Sequence, residues 1–135
     1  MYMLDTDMCI YVLKNRDLSL RNKFKALPYL TISSITYAEL CYGIENGITS
    51  LRAERYAQLK GFLRKIVIES WGEPQGVVYG QLRASLKRAG LVIGGNDLLI
   101  AAHALSSGAV LVTNNQREFS RISGLVCENW LGKMD

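Results

Sequence analysis

The chain has 135 residues, the length of one domain, with 49% hydrophobic residues, 21% charged residues and a formal net charge of +4. This composition excludes a disordered chain, and no apolar run approaches the roughly 20 residues that span a bilayer. The first ten residues contain two acids and do not resemble a signal peptide, so we expect a cytoplasmic protein.

Short apolar runs alternate along the chain with amphipathic segments, and Pro28, Gly90 and Gly108 end three of the predicted helices. Strands that are apolar along their length and alternate with helices predict a parallel sheet covered on both faces. We therefore predict one domain over residues 1–135, a three-layer α/β/α sandwich around four or five short parallel strands. In chain order, the predicted elements are strand Tyr2–Leu4, helices Met8–Lys14 and Leu18–Leu27, strand Leu30–Ser33, helices Thr36–Asn46 and Leu51–Arg64, strand Ile66–Ile68, helices Glu73–Ala89 and Leu98–Leu105, strand Ala109–Thr113, helix Gln116–Arg121 and a weak strand Leu125–Glu128.

Acidic and amide side chains follow the ends of the predicted strands. In open parallel sheets, ligands bind beyond the carboxyl ends of the strands, where helix N-termini also point. The junctions between a strand or loop and the next helix therefore carry the candidate functional residues. These are Asp5 and Asp7 after the first strand, Glu39 after the second, Asp97 at the start of an apolar helix, and Asn115 and Glu118 after the strand that ends at Thr113.

Helix capping is an alternative role for most of these residues. A cap stabilises a helix by about 1 kcal/mol, and it explains the residue type without requiring the acids to meet. Both roles therefore stay open on the sequence. The candidate caps are Asp7, Thr36 with Glu39 as a capping box, Asn96 or Asp97, and Asn115 with Glu118.

Capping leaves Asp5 and Asp97 unexplained. Asp5 directly follows a buried strand, one turn too early to cap a helix that begins at Met8, and an unpaired carboxylate there is costly to desolvate. No lysine or arginine lies near either acid in the sequence, so a metal ion is the expected partner. Oxygen ligands without a histidine pair or a CxxC pair favour Mg²⁺ or Mn²⁺ over zinc. The only histidine, His103, is expected to be a packed core residue.

The pair Asp5 and Asp7 after an apolar run also occurs in haloacid-dehalogenase-like phosphatases, where the first aspartate attacks phosphorus and the second transfers a proton. Those enzymes also use a later acidic pair and a lysine. The stretch Leu98–Asn115 contains no acid and no lysine, so a phosphatase is the less favoured alternative.

Five segments of the chain occur in a recognisable order and spacing between Tyr2 and Trp130. They are LDTD at 4–7, ISSITYAELCYG at 32–43, GQLRASL at 80–86, GNDLLIAAHAL at 95–105 and LVTNNQREFSRISGL at 111–125. Together they resemble the PIN-domain ribonucleases of VapC type, which are the toxins of bacterial toxin-antitoxin pairs.

The resemblance implies a PIN-like parallel sheet with its acids at the strand ends, and cleavage of RNA that depends on Mg²⁺ or Mn²⁺. On this basis Asp5, Glu39 and Asp97 match three acidic positions of the family and are the expected metal ligands. The fourth position is open, because family members often have T-x-D where this chain has Thr113-Asn114-Asn115, so that either Asn115 or Glu118 completes the site. Asp7 stands where the family more often has asparagine, and it is either a cap or an accessory acid.

The resemblance also implies a homodimer and a VapB-type antitoxin that wraps the toxin and blocks its site. It further suggests a tRNA substrate, with the anticodon stem-loop of initiator tRNA as one target, and inhibition of translation. We hypothesise that water attacks the phosphorus with the help of the metal and leaves a 5′ phosphate and a 3′ hydroxyl.

Two basic segments, Lys14–Lys25 and Arg83–Arg88, are candidates to bind RNA phosphates around the acids. A basic module that binds RNA or a partner without catalysis is a second hypothesis, because the fourth acid is uncertain.

Overall fold

The structure, a computed structural model, describes residues 1–15 and 17–131. The described residues contain a five-stranded, all-parallel sheet with strand order β3-β2-β1-β4-β5, which confirms the predicted parallel sheet. All five strands lie where the sequence predicts them, with ends that differ by one or two residues. The strands are β1 Tyr2–Leu4, β2 Leu30–Ser33, β3 Ile66–Glu69, β4 Val110–Val112 and β5 Cys127–Glu128.

Helices connect consecutive strands, as the parallel topology requires. The structure confirms the seven predicted helices, although three of them begin two or three residues earlier than the sequence predicts. The predicted helix Leu51–Arg64 is shorter, because a 3₁₀ turn replaces each of its ends. The helices are α1 Thr6–Lys14, α2 Leu18–Ala26, α3 Ser34–Glu45, α4 Arg52–Phe62, α5 Glu73–Arg88, α6 Gly95–Ser107 and α7 Gln116–Phe119, and the 3₁₀ turns are Thr49–Leu51 and Leu63–Lys65.

Consecutive residues of the central strands point into two separate cores, since side chains alternate across a strand. Met3 and Leu111 are fully buried in the core with α5, α6 and α7. Leu4 and Val112 are fully buried in the opposite core, which also contains residues of α1, α2, α3 and α4. The sheet is therefore the middle layer, and the three-layer prediction is confirmed.

The edge strand β3 departs from the prediction that every strand is covered on both faces. Val67 and Ile68 of this strand, which pairs with β2 alone, are 54% and 41% exposed. The burial of His103 agrees with the sequence analysis. Cys9, Cys41 and Cys127 are free thiols. Every helix in the described ranges is too short or too polar to traverse a bilayer.

The strand order determines where a ligand can bind. The chain passes from β1 to β2 on one side, and later adds β4 on the other side of β1, so the topology switches between β1 and β4. Leu4 pairs with both Ile32 and Val112 in register. Asp5 therefore lies at the carboxyl edge of the sheet beside Thr113, at the position where such folds bind ligands.

Replacement of Phe119 by alanine tests the packing beneath the site. Phe119 is fully buried under the short helix α7, so the truncation leaves a cavity and should lower the free energy of unfolding by about 3–5 kcal/mol. Val92 is 79% exposed, and the control Val92→Ala should change stability by less than about 0.5 kcal/mol. Urea denaturation measures both values, and equal effects would contradict the assignment of Phe119 to the core.

Candidate active site

Asp5 lies at the junction of β1 and α1 and is 2% exposed. Its backbone N–H donates to Val112 O at 3.0 Å, which continues the pairing of β1 with β4. Its side-chain Oδ1 accepts a hydrogen bond from the backbone N–H of Met8 at 2.8 Å. The prediction that Asp5 comes too early to cap the helix is wrong, because α1 begins at Thr6 and Asp5 is its N-cap.

Asp7 lies in the first turn of α1 and is exposed, so the prediction that it caps this helix is wrong. Its charge acts on the neighbouring acids, because it raises the pKa of Asp5 and of Asp97. An accessory acidic role for Asp7 stays a prediction.

Glu39 does not form the predicted capping box with Thr36. Helix α3 begins at Ser34, and its N-cap Ser33 accepts a hydrogen bond from the N–H of Ile35 at 3.1 Å. Glu39 thus lies in the second turn, half-buried, and its carboxylate contacts two other helices. Its Oε1 accepts from Thr6 Oγ1 at 2.5 Å, and its Oε2 accepts from Asn96 Nδ2 at 2.6 Å.

Asp97 lies in the first turn of α6, where Gly94 occupies the N-cap position without a side-chain hydrogen bond. The predicted cap at Asn96 or Asp97 is therefore wrong, because the helix begins at Gly95 and both residues lie within it. Asp97 contacts the carboxyl group of Glu118 from the first turn of α7.

The structure separates the two candidates for the fourth position. Asn115 is the N-cap residue of α7 but makes no side-chain cap, so this predicted cap is also wrong. Its Nδ2 instead donates to Glu118 Oε1 at 3.3 Å. Glu118 thus brings a second carboxyl group to Asp97, and Asn115 supports Glu118.

The pKa of Asp5 is raised from its ordinary 3.8 to about 6, mainly by burial and to a smaller extent by the charges of Asp7 and Glu39. Contacts with the Thr113 hydroxyl and the Met8 N–H lower it in part. For Asp97, burial and then the contact with Glu118 raise the pKa to about 7. The acids therefore destabilise one another's charged forms, and the cluster carries excess negative charge at neutral pH.

A hard divalent cation matches these donors in chemistry and charge. The ion pair in the described part of the chain joins Arg52 to Glu45 at 3.3 Å and involves none of the candidate acids. Across residues 1–15 and 17–131, no three aspartate, glutamate, histidine or cysteine side chains converge tightly enough to enclose an ion. Carboxylate oxygens are nevertheless the donors that suit Mg²⁺ or Mn²⁺.

Several uncharged residues of this site were missed or assigned only as caps. The hydroxyl groups of Thr6, Thr36 and Thr113 are buried at strand and helix junctions beside the acids, and the Asn96 amide contacts Glu39. Each of them stands within five residues of a candidate acid in the sequence, in LDTD, ITYAE, GND and LVTNNQRE. Proximity to an acid is the only sign in the sequence that these residues belong to the site. Their hydrogen bonds cannot be predicted from the sequence, because they join elements that are distant along the chain.

A groove of about 520 Å³ lies between α1, α3 and α4 and reaches the site at Glu39. Its walls are mainly apolar and carry a few charged residues. Gly43 of α3 is part of the wall, and the other lining residues are Ile10, Leu13, Lys14, Leu40, Ile44, Leu51, Glu54, Arg55, Gln58 and Leu59.

The side chains of the two predicted basic segments are exposed on α1, α2 and α5, where they can meet an anionic partner. Arg16 of the first segment lies outside the described residues. The exposed cations are Lys14, Arg21, Lys23, Lys25, Arg83, Lys87 and Arg88.

Comparison with known proteins finds that the PIN domain family model matches residues 2–125. The chain is 41% identical over 132 residues to Ribonuclease VapC2 of Rickettsia felis, covering 96% of this chain and 97% of the relative. It is 42% identical over 131 residues to the tRNA(fMet)-specific endonuclease VapC of Salmonella typhimurium, covering 96% and 97%. The crystal structure of DNA-bound VapBC from Salmonella typhimurium aligns with a TM-score of 0.91 and 39% identity, over 96% of this chain and 97% of that one.

The raised pKa of Asp5 predicts a pH-dependent stability in the metal-free protein. The folded state binds this proton more tightly than the unfolded state, so the stabilisation is complete below about pH 4 and disappears as the pH rises through about 6. Asp5→Asn retains the cap but does not ionise. Its free energy of unfolding, relative to the unchanged protein, should therefore increase by up to about 3 kcal/mol between about pH 4 and pH 8.

Chemical denaturation in the presence of a chelator at several pH values measures this difference. Asp17→Asn is a matched control, because Asp17 caps α2 in the same way by accepting from Leu20 N at 3.1 Å. If both variants show the same pH dependence, burial of Asp5 is not the cause.

Proposed function

The chain belongs to the PIN-domain family, among its VapC-type ribonucleases, and on this premise we propose that it is a metal-dependent endoribonuclease. The observation that carries the proposal is the approach of the buried acid Asp5 to the half-buried acid Asp97, whose pKa the charge of Asp5 raises. Within residues 1–15 and 17–131, neither acid forms an ion pair. They lie at the switch point of the sheet, where a cation and a phosphodiester can both approach.

Asp5, Asp97 and Glu39 are the residues proposed to hold Mg²⁺ or Mn²⁺, Glu39 directly or through a water molecule, with Glu118 beside them. When bound, the ion lowers the pKa of a water molecule and offsets the negative charge of a phosphodiester. Glu39 and Glu118 can accept a proton from that water and orient it toward the phosphorus. His103 is not the general base, because it is buried with Nδ1 2.8 Å from Ser33 Oγ, and burial lowers its pKa.

Attack by water, rather than by the ribose 2′ hydroxyl, would leave a 5′ phosphate and a 3′ hydroxyl. The proposed substrate is tRNA, with the anticodon stem-loop of initiator tRNA as the target, so that cleavage inhibits translation in the cytoplasm. The support is the full-length similarity to a relative named as a tRNA(fMet)-specific endonuclease. The exposed lysines and arginines of α1, α2 and α5 would bind phosphates, because the acids themselves repel RNA.

We also propose that a VapB-type antitoxin binds this chain and that the chain forms a homodimer within the complex. The similar solved structures from Rickettsia felis and Salmonella typhimurium are VapBC complexes. The groove between α1, α3 and α4 supports the proposal, because it is mainly apolar and reaches Glu39. An antitoxin segment with an apolar face can fill this groove and cover the acids at the same time.

Replacement of Asp5 by asparagine tests the catalytic proposal. Asp5→Asn removes a charge that the metal needs, so cleavage of initiator tRNA by the antitoxin-free protein should fall by more than the about 10–100-fold typical for loss of an indirect metal contact. Mapping of the RNA ends measures both the rate and the chemistry of the products. Asp17→Asn, which changes a capping aspartate at α2, should cleave normally.

Two results would contradict parts of this proposal. Cleavage that survives a chelator, or products ending in a 2′,3′-cyclic phosphate, would exclude the metal-assisted attack of water. Inhibition of growth by Asp5→Asn without any cleavage would instead support the alternative of a non-catalytic binding module.

Replacement of Gly43 by glutamine tests the antitoxin groove. A Cβ atom at Gly43 meets no atom within 4 Å, so the side chain fits the fold and projects into the groove. Gly43→Gln should weaken binding of the antitoxin at least about tenfold, and helix stability should rise slightly because glycine is a poor helix former. Gly80 of α5 is equally free of neighbours and exposed, and Gly80→Gln is the control.

Calorimetric titration of each variant with the antitoxin gives the affinities. Equal affinities for the two glutamine variants would place the antitoxin elsewhere on the surface.

A further inference from the structure

Both carboxylate oxygens of Glu39 accept hydrogen bonds from side chains of other helices. Thr6 from the first residue of α1 donates to Oε1, and Asn96 from the first turn of α6 donates to Oε2. A glutamate side chain has several rotatable bonds, and fixing it costs conformational entropy. Two donors from two different helices restrict it to a single orientation.

A second hydroxyl, that of Thr36, extends this hydrogen-bond network into the protein interior. Thr6 Oγ1 and Thr36 Oγ1 lie 3.1 Å apart, and the Thr36 side chain is fully buried. Thr6 has a single hydroxyl hydrogen, and the shorter contact with Glu39 takes it. Thr36 is then the donor of the second bond, so its hydroxyl fixes Thr6, and Thr6 in turn fixes Glu39.

The two donors to Glu39 are uncharged, and this has a chemical consequence. A lysine or arginine at either position would neutralise Glu39 and compete with a cation for it. A hydroxyl and an amide stabilise the ionised carboxylate while leaving its charge and its remaining lone pairs available. Asn96 is also the immediate neighbour of Asp97, so its bond couples the position of Glu39 to that of Asp97.

We propose that Thr6 and Asn96 are positioning residues that hold Glu39 in the orientation a divalent cation or its water requires. This inference rests on the proposed function, because it assigns residues to the same acidic site. It predicts that the metal affinity of the protein depends on two side chains that carry no charge. Partners that orient a metal ligand typically contribute about 10–100-fold in metal affinity or activity.

Calorimetric titration of the antitoxin-free protein with Mn²⁺, in the absence of RNA, tests the proposal. Thr6→Val and Asn96→Ala should each weaken Mn²⁺ binding about tenfold. Thr6→Ser keeps the hydroxyl and should stay within about threefold of the unchanged protein. In cleavage assays, the Mn²⁺ concentration that gives half the maximal rate should rise by the same factor in Thr6→Val and Asn96→Ala, while the KM for RNA stays unchanged.

Matched control variants separate positioning from a general loss of stability. Thr31 is a buried threonine of β2, and its hydroxyl donates to Tyr2 O at 2.9 Å. Thr31→Val therefore removes a comparable hydrogen bond that does not involve the acids. Asn15 is an exposed asparagine that donates to Tyr11 O at 3.0 Å, and Asn15→Ala controls for Asn96→Ala. Both controls should bind Mn²⁺ like the unchanged protein, whatever their melting temperatures.

The outcomes distinguish this inference from the proposed function. If the unchanged protein binds Mn²⁺ but Thr6→Val and Asn96→Ala bind it equally well, the positioning role is wrong and the proposed function stands. If the unchanged protein and the controls bind no Mn²⁺, the metal-dependent function itself fails. If Thr6→Val does not fold, Asn96→Ala decides the result, because Asn96 is exposed and its loss leaves no cavity.

Discussion

The buried carboxylate of Asp5 is the constraint around which the candidate site is organised. It lies at the end of the central strand and is 2% exposed, where an ionised group is costly unless polar groups surround it. The Met8 N–H and the Thr113 hydroxyl supply part of that stabilisation, one from α1 and one from the end of β4. The contacts that reduce the cost of burying Asp5 therefore also join β1, α1 and the end of β4 at the switch point of the sheet.

These contacts do not fully offset the free-energy cost of burying the Asp5 charge, because the pKa of Asp5 stays raised. The charge that remains uncompensated is the chemical basis of the site. Uncharged donors hold Asp5 and Glu39, while Asp97 contacts another carboxyl group at Glu118, so negative charge accumulates at one edge of the sheet. A fold selected only for stability would place a lysine or an apolar residue there. Local destabilisation of this kind is typical of sites that bind a cation or catalyse a reaction.

The sequence predicted the order of the elements and the acids that meet, because hydrophobic periodicity and junction position carry that information. It misplaced the starts of α1 and α3, since Asp5 directly follows β1 and Ser33 ends β2, and each caps the next helix with no loop between. When a helix follows a strand directly, no turn residue in the sequence marks where the helix begins, and the capping residue cannot be recognised as a cap. The bonds from Thr6 and Asn96 to Glu39 were missed because they depend on how three helices pack, across 33 and 57 residues.

Asn115 and Glu118, the two candidates for the fourth position of the site, contact each other. Where the family often has an aspartate, this chain has Asn115, and Glu118 brings a carboxyl group from one helical turn later. The longer side chain reaches Asp97 because the buried Phe119 anchors the short helix α7 beneath it. Asn115 then donates a hydrogen bond to Glu118, so the residue that lacks the charge orients the residue that carries it. An electrostatic site of this kind depends on where its carboxyl groups lie in space, and side chains from more than one position in the sequence can bring a carboxyl group to the same location.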